Sequence, residues 1–588
     1  MTEYHAPLRE MRFVLDEIAG MAEVAGLPGY EEASPDLIDA ILGEAGKLAS
    51  EVLAPLNPIG DREGLTFENG VVRMPPGFTE AYARFVEGGW GSLAADPEFG
   101  GQGLPWTLAI VVQEMWNSAN LSFALGPMLT QGAVEALQIH GTGDQKATYL
   151  PKLVSGEWAG TMNLTEPHAG TDVGALKTRA VPEGDHYLIQ GQKIFITWGE
   201  HDCAENIVHM VLARTPGAPA GTKGLSLFIV PKFLPRTDGT PGTRNDLRCV
   251  SLEEKLGIHA SPTCVMAYGD SGGAIGYLMG EENGGMACMF TMMNNARMLV
   301  GLEGLALGER AYQAARDYAR ERIQGTALGE RGGGPVPIVR HPDVRRMLMT
   351  MRALNEAMRG LLYMAAAALD AAKRHPDDAA RARAQARIDL LTPVVKAWLT
   401  DSGCEVASLG VQVHGGMGYI EETGAAQYYR DVRISPIYEG TNGIQALDLL
   451  TRKLLRDRGA AAKDFLAEMT ASLPALGGDG LDEALASLSD TTDWLLETGA
   501  TDLTRAAAGA TPYLKLFGIV TSAWLLARGA AAARRRLSNG GAEDRPFLEA
   551  KIATARFYMA NILPRAAAEA AAVTQGAEST LALDEAQF

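Results

Sequence analysis

The stretch Tyr187-Leu-Ile-Gln-Gly-Gln-Lys-Ile-Phe-Ile-Thr197 decides the fold class, because it is extended in character within a chain that otherwise repeats at helical spacing. Its β-branched and aromatic residues on either side of Gly191 read as two short strands around a turn. Ile207–Ala213 and Leu225–Val230 are further apolar runs of strand length. Outward from these the pattern is helical. Leu37, Ile41 and Leu48 keep helical spacing upstream. Val300, Leu307, Ala311, Ala314 and Tyr318 form one apolar stripe downstream, and Ile388, Leu391, Val395 and Trp398 form another. Pro393 interrupts the second stripe and predicts a kink. The expected architecture is mainly α with an inserted β domain. Residues 1–158 form an N-terminal helical domain with a glycine-rich loop at 88–106, and residues 159–282 the β domain. Residues 283–450 form a helical bundle, and 451–588 an extra Ala-rich helical domain. Flexible connections are expected at 325–337, 476–480 and 538–542.

A chain of 588 residues has the length of three to four domains. With 47% hydrophobic and 21% charged residues it is neither disordered, collagen-like nor disulfide-stapled. Lys and Arg number 52 against 71 Asp and Glu, a net charge of −19. That balance argues against nucleic-acid or anionic-membrane binding by bulk charge, so an anionic ligand must be held by local Arg or Lys residues. The start, MTEYHAPLREMRF, has neither the basic nor the apolar region of a secretory signal. No membrane span is expected: Leu516–Ala527 is the nearest approach and reads as a buried helix. Five scattered cysteines without a CxxC spacing fit a reducing, cytoplasmic compartment. HExxH, GxGxxG and GxxxxGK[ST] are all absent, which argues against zinc-hydrolase, Rossmann and P-loop sites.

Four motifs carry chemistry. Thr165-Glu-Pro-His-Ala-Gly-Thr-Asp172, preceded by Met162-Asn-Leu164, ends an apolar run in a hydroxyl-rich turn. It either binds a polar ring edge or phosphate or satisfies itself. In Lys193-Ile-Phe-Ile-Thr-Trp-Gly199, alternation puts Phe195 and Thr197 on one face. That pair is suited to flank a flavin, and a core aromatic beside a surface Thr is the simpler explanation. Val411-Gln-Val-His-Gly-Gly-Met-Gly-Tyr419 spends three glycines where a helix end needs one, leaving backbone bare for close approach. In Arg433-Ile-Ser-Pro-Ile-Tyr-Glu-Gly-Thr-Asn-Gly443, Thr441 or Asn442 caps the next helix. Glu439 lies beside apolar neighbours there: it is a base with a raised pKa or a favourable charge at a helix N-terminus.

Together and in this order, the four motifs resemble the acyl-CoA dehydrogenase family over about residues 40–450. HGTGDQKATYLPKLVSGEWAG (140–160) resembles the family's approach to the flavin loop. The narrower likeness is to the subfamily acting on 3-methylmercaptopropionyl-CoA in the dimethylsulfoniopropionate pathway. It rests on length, a short N-terminal extension and the helical segment beyond the core.

The resemblance implies an N-terminal helical domain, a barrel-like β domain, a four-helix bundle and FAD bound without a Rossmann motif. Leu164 and Thr165 contact the isoalloxazine, and Phe195, where many members have Trp, closes its other side with Thr197. Arg322 reaches the FAD pyrophosphate, Gln412 and Gly416 line the ADP part from a neighbouring subunit, and Thr441 contacts FAD. Many members place Gln at the position of Gly443. Thr171, Arg297 and Gly440 are the substrate contacts, with Arg297 meeting the CoA nucleotide.

Glu439 matches the α-proton base. The position before Arg297, which carries the base in some subfamilies, is Ala296 here. Flavin N5 is the hydride acceptor and the product is a 2,3-enoyl-CoA, 3-methylthioacryloyl-CoA if the narrow likeness holds. The resemblance further implies an electron-transfer flavoprotein as acceptor and a homodimer or homotetramer. The alternatives are a short- or medium-chain acyl-CoA dehydrogenase, an acyl-CoA oxidase, and, remotely, the DNA-binding alkylation-response relative. The last uses a basic C-terminal domain, whereas residues 451–588 here carry 15 Lys and Arg against 17 Asp and Glu.

Overall fold

The structure, a computed structural model, describes residues 3–329, 332–477, 480–540 and 544–588. Parts of the three expected connections, residues 330–331, 478–479 and 541–543, lie outside the described residues. The described ends of the first connection are pinned together: the Gln324 N–H donates to Val336 and the Val336 N–H to Gly325, at 3.0 and 2.9 Å. The chain divides into two compact units. One comprises Lys47–Pro105 and Met115–Ala296, the other Met1–Gly46, Trp106–Glu114 and Arg297–Phe588.

The first unit is built on a sheet of eight strands: β1 (Trp158–Asn163), β2 (Arg179–Glu183), β3 (His186–Thr197), β4 (Asn206–Ala213), β5 (Ser226–Pro231), β6 (Leu247–Leu252), β7 (Thr263–Tyr268) and β8 (Ala274–Met279). Their order is β6-β7-β3-β8-β5-β4-β1, with β2 on β3. Only the β1–β4 pair is parallel. Two cores explain the composition of the strands. Val208, Met210, Leu212, Leu227 and Ile229 pack on one side with residues of the helices Leu121–His140 and Gly143–Ser155. Val211, Phe228, Val230, Met266 and Tyr268 pack on the other. A strand covered on both faces has no polar side to show, so β4 and β5 are buried along their whole length.

The expected pair of strands around Gly191 is instead one strand of 12 residues. Gly191 stays in the ladder opposite Tyr268, and a side chain there would meet Thr178. The two halves of β3 have different neighbours, β2 and β8 for the first and β7 for the second. The sequence break is therefore a change of partner, not a turn.

The second unit is helical. Its helices include α1 (Trp106–Ala119) and α2 (Gly285–Glu321), whose residues are divided between the units, then α3 (Pro342–Arg374), α4 (Asp378–His414), the short α5 (Asn442–Asp448) and α6 (Ala510–Ser538). α4 runs through Pro393 without a break. α2 and α4 cross with backbones nearly touching. A Cβ on Gly304 would lie 2.4 Å from the Leu399 oxygen, and one on Gly403 2.3 Å from the Gly304 oxygen. That contact brings the charged residues on either side of the crossing together. α6 is long and apolar enough to cross a membrane by composition, but 89% of its apolar window is buried in the protein. Buried ion pairs tie both ends of the chain into the unit. Lys551 bonds Glu10 and Glu356 at 2.6 and 2.7 Å, and Arg359 bonds Glu114 and Glu309 at 2.6 and 3.0 Å.

Candidate active site

In the β unit, the chain leaves β1 at Asn163 and passes through Leu164 and Thr165 into a tight turn. Glu166 and Ala169 exchange backbone hydrogen bonds across it at 3.1 and 3.0 Å, with Pro167 fixing the turn's φ. The loop is pinned to β3. The Ile194 N–H donates to the Thr165 carbonyl at 2.9 Å, and the Lys193 ammonium donates to the Leu164 carbonyl at 2.8 Å and to Glu166 at 2.9 Å. Glu166 also accepts from the Lys177 and Thr178 N–H groups and the Thr178 hydroxyl. Burial pushes the Glu166 carboxyl up, but Lys193 and these donors outweigh it and hold it below its ordinary value. Burial brings Lys193 down to about 8, against the pull of Glu166.

The alternation argument for Phe195 does not carry through this strand. The β3–β7 register slips between Cys264 and Met266, so Ile194 and Phe195 together oppose Val265 in a bulge. Phe195 takes a φ of +60° and the residue is 58% exposed. Leu164 is incompletely buried, and the Thr165 and Thr197 hydroxyls make no side-chain hydrogen bond among the described residues. Apolar surface beside unsatisfied hydroxyls is the donor set that a flat isoalloxazine with one polar edge requires, so these residues fit FAD. Thr171 is exposed beyond the turn, where Asp172 takes the Gly174 N–H at 3.1 Å.

In the helical unit, the 433–445 turn holds Glu439. Gln445 donates to the Glu439 and Gly440 carbonyls at 3.1 and 3.4 Å. Thr441 caps α5, accepting the Ile444 N–H at 3.4 Å. Asn442, the other candidate cap, instead accepts from Lys396 at 2.9 Å and donates to Asp401 at 2.7 Å. Between these anchors Glu439 is forced to φ +56° and Gly440 to φ +85°. A left-handed non-glycine residue costs about 1–2 kcal/mol, and such strain concentrates at functional sites. Among the described residues, the N–H groups of Glu439 and Gly440 donate no hydrogen bond within the chain, and the Glu439 carboxyl accepts none.

Glu439 is half-buried and its surroundings are charged. Burial raises its carboxyl to about 7, while Arg297 and Lys396 pull it down. Burial raises Glu303 to about 8. It also lowers Lys396 to about 8, opposed by Glu303, Glu439 and Asp401. Arg297 is 5% exposed, bonds Asp448 at 3.2 Å and keeps a buried Nε without a hydrogen-bond partner among the described residues. The Tyr438 hydroxyl donates to Glu303.

Arg322, Gln412 and Gly416 form a second locus in the same unit. Tyr318 stacks on His414 at 4.4 Å, joining the C-terminal ends of α2 and α4 that carry them. His414 is structural, its Nδ1 at 2.7 Å from the Gly410 carbonyl. A Cβ on Gly415 or Gly416 would meet open space, so their backbone is bare, whereas one on Gly418 would lie 2.3 Å from the Val411 oxygen. Arg322 follows the last residue of α2, about 37 Å along that helix from Arg297 at 1.5 Å per residue. The structure therefore gathers Arg297, Glu439, Gly440 and Thr441 in one place and Arg322, Gln412 and Gly416 in another. Leu164, Thr165, Phe195 and Thr197 gather separately in the β unit.

Four residues here had no role in the sequence reading. Lys193 and Gln445 stand inside motifs that drew attention for other residues. Glu303 and Lys396 do not, although each is a lone charge in an apolar run, Leu302-Glu-Gly-Leu305 and Val395-Lys-Ala-Trp398. That anomaly is the signal that marks them.

Comparison with known proteins gives a consistent picture. Residues 39–157, 161–270 and 283–454 match the family models "Acyl-CoA dehydrogenase, N-terminal domain", "middle domain" and "C-terminal domain". Residues 455–584 match "Acetyl-CoA dehydrogenase C-terminal like". A 3-methylmercaptopropionyl-CoA dehydrogenase of Ruegeria pomeroyi is 49% identical, covering 98% of this chain and 99% of its own. A broad-specificity linear acyl-CoA dehydrogenase of Mycobacterium tuberculosis is 34% identical over 100% of both. The solved structure of a Bacillus anthracis acyl-CoA dehydrogenase complexed with FAD is similar in fold. Its TM-score is 0.74 at 20% identity, covering 98% of this chain and 92% of that one.

Proposed function

This chain belongs to the acyl-CoA dehydrogenase family, FAD-dependent oxidoreductases acting on acyl-CoA thioesters, and on that footing we propose that it desaturates 3-methylmercaptopropionyl-CoA to 3-methylthioacryloyl-CoA with Glu439 as the α-proton base. The observation that carries the reading is the state of Glu439. It is a carboxyl in a strained turn, unbonded, with its pKa brought to about 7. A base is most effective when its pKa lies near the working pH. The relative of that name, similar over nearly its whole length, supports the choice of substrate.

Leu164, Thr165, Phe195 and Thr197 would hold the isoalloxazine of FAD, which when bound supplies the acceptor for the β-hydride. Thr441 would contact FAD. Arg322 would neutralise pyrophosphate charge, with Gln412 and Gly416 beside it. Their distance from Arg297 along α2 favours service to the cofactor of a neighbouring copy in a homodimer or homotetramer.

The unpaired N–H groups of Glu439 and Gly440 are donors for the thioester oxygen. They acidify the α-proton as negative charge develops there, each worth about 3 kcal/mol. Glu439 then takes that proton onto a carboxylate oxygen. Thr171 and the unpartnered Arg297 Nε are the proposed CoA contacts. Arg297 and Lys396 keep the base ionised often enough to act. An electron-transfer flavoprotein is the proposed re-oxidant.

The test is anaerobic titration of the flavoprotein with a panel of thioesters, followed by loss of flavin absorbance. Bleaching preferentially by 3-methylmercaptopropionyl-CoA supports the reading. Preference for longer linear acyl-CoAs moves the assignment to a fatty acyl-CoA dehydrogenase, and failure with every thioester defeats it. Peroxide formation in air would mark an oxidase.

A further inference from the structure

We propose that Glu303 is a positioning residue for the base: it grips the Tyr438 hydroxyl and, through that ring, holds the left-handed 439–440 turn in its working shape. The inference rests on Glu439 being the base.

Glu303 lies on α2 between Leu302 and Gly304, at the crossing where α2 and α4 nearly touch, and its side chain is wholly buried. A carboxyl at such a place is costly unless an interaction retains it. Its interactions point one way. The Tyr438 hydroxyl donates to Oε1, and the Ser435 hydroxyl also favours its charged form. The other charged groups facing it are Lys396 from α4 and Glu439 itself. Oε2 has no partner. The hydroxyls that act on this carboxyl, those of Ser435 and Tyr438, belong to the segment that carries the base.

The turn is thus held from two flanks. On one side Gln445 donates to the carbonyls of Glu439 and Gly440. On the other, Glu303 anchors the residue immediately before Glu439. A residue at φ +56° returns to commoner backbone angles unless its surroundings over-determine it. Tyr438 is a rigid link with two side-chain torsions, so fixing its hydroxyl fixes the peptide that enters the turn.

The variants Tyr438→Phe, Glu303→Gln, Glu303→Ala and the double Tyr438→Phe/Glu303→Ala test this in the FAD-loaded enzyme. Three readouts apply: the anaerobic bleaching rate with the preferred thioester, thioester affinity, and the crystallographic φ at residue 439. Tyr438→Phe removes one oxygen atom and keeps the ring, so it guards against a mere folding defect. Tyr438→Phe and Glu303→Ala should each slow bleaching about tenfold or more, with affinity changed less than about threefold. Glu303→Gln, whose amide oxygen still accepts, should stay within about threefold of the native rate. The double variant should be no slower than either single change, since both break one link. In Tyr438→Phe, φ at 439 should leave the left-handed region.

Native-rate bleaching in Tyr438→Phe with φ unchanged overturns the proposal, as do multiplicative losses in the double variant. If the native enzyme bleaches and Glu439→Gln does not, either result sinks the clamp alone. If no thioester bleaches the native enzyme, the base reading fails, and the change or persistence of φ in Tyr438→Phe still decides whether Glu303 holds the turn.

Discussion

The Lys193 ammonium ties β3 to the loop after β1: it donates to the Leu164 carbonyl at 2.8 Å and to the Glu166 carboxylate at 2.9 Å. One buried cation thereby fixes the loop after β1 against the bulged strand that carries Phe195. Lys193→Met removes that tie and leaves Glu166 buried without its counter-charge, a change that costs about 3–5 kcal/mol. Urea unfolding should show that loss, and FAD should dissociate at least about tenfold more readily. Undiminished FAD retention would show that the loop is ordered by something else.

Burial, then Arg297 and Lys396, set where the base titrates. Lys396 favours ionised Glu439, so removing its charge should raise the base's pKa above about 7. Lys396→Met should move the rising limb of the bleaching-rate profile to higher pH by about one unit. At pH 6.5 that is about a tenfold loss, recovered on alkalinisation. An unmoved or acid-shifted limb contradicts the electrostatic assignment.

The same shift has a stability signature. Glu439 is raised from 4.5 to about 7 in the folded protein. Its neutral form is the tolerated one, so the native protein keeps full stability below pH 4.5 and loses part of it as pH rises through 7. Glu439→Gln carries no such charge. Its stability should equal the native value near pH 4.5 and exceed it at pH 8 to 9 by about 1–3 kcal/mol. Chemical denaturation at the two pH values checks this, and a difference of opposite sign refutes it.

The crossing of α2 and α4 makes a packing prediction. A Gly→Ala change inside a helix ordinarily gains about 1 kcal/mol. At Gly304 the new Cβ would sit 2.4 Å from the Leu399 oxygen, so the helices must part. Gly304→Ala should instead destabilise by about 2 kcal/mol or more, read as a lower thermal midpoint. A raised midpoint would mean that the crossing is looser than described.

Local pattern exposed much of this molecule. The α stripes, the β insertion and the glutamate at 439 are written in spacing and in short motifs. Less local features were not. The break at Gly191 looked like a turn because a strand that changes neighbours along its length carries the same sequence mark as two strands. Phe195 defeated period-two reasoning because a bulge depends on register with β7. Asn442 sits where a cap is expected, but its amide is used by Lys396 and Asp401, residues more than 40 positions away. Glu303 and Lys396 acquire meaning only when two helices cross. What escaped was long-range pairing, which no single segment encodes.

The account turns on Glu439, and one experiment addresses it most directly: anaerobic mixing of the native protein and of Glu439→Gln with 3-methylmercaptopropionyl-CoA, following flavin absorbance. The native flavin should bleach, while the variant should bind the thioester, keep its FAD and stay yellow, with the rate down at least about a thousandfold. A variant that bleaches at the native rate would contradict the assignment.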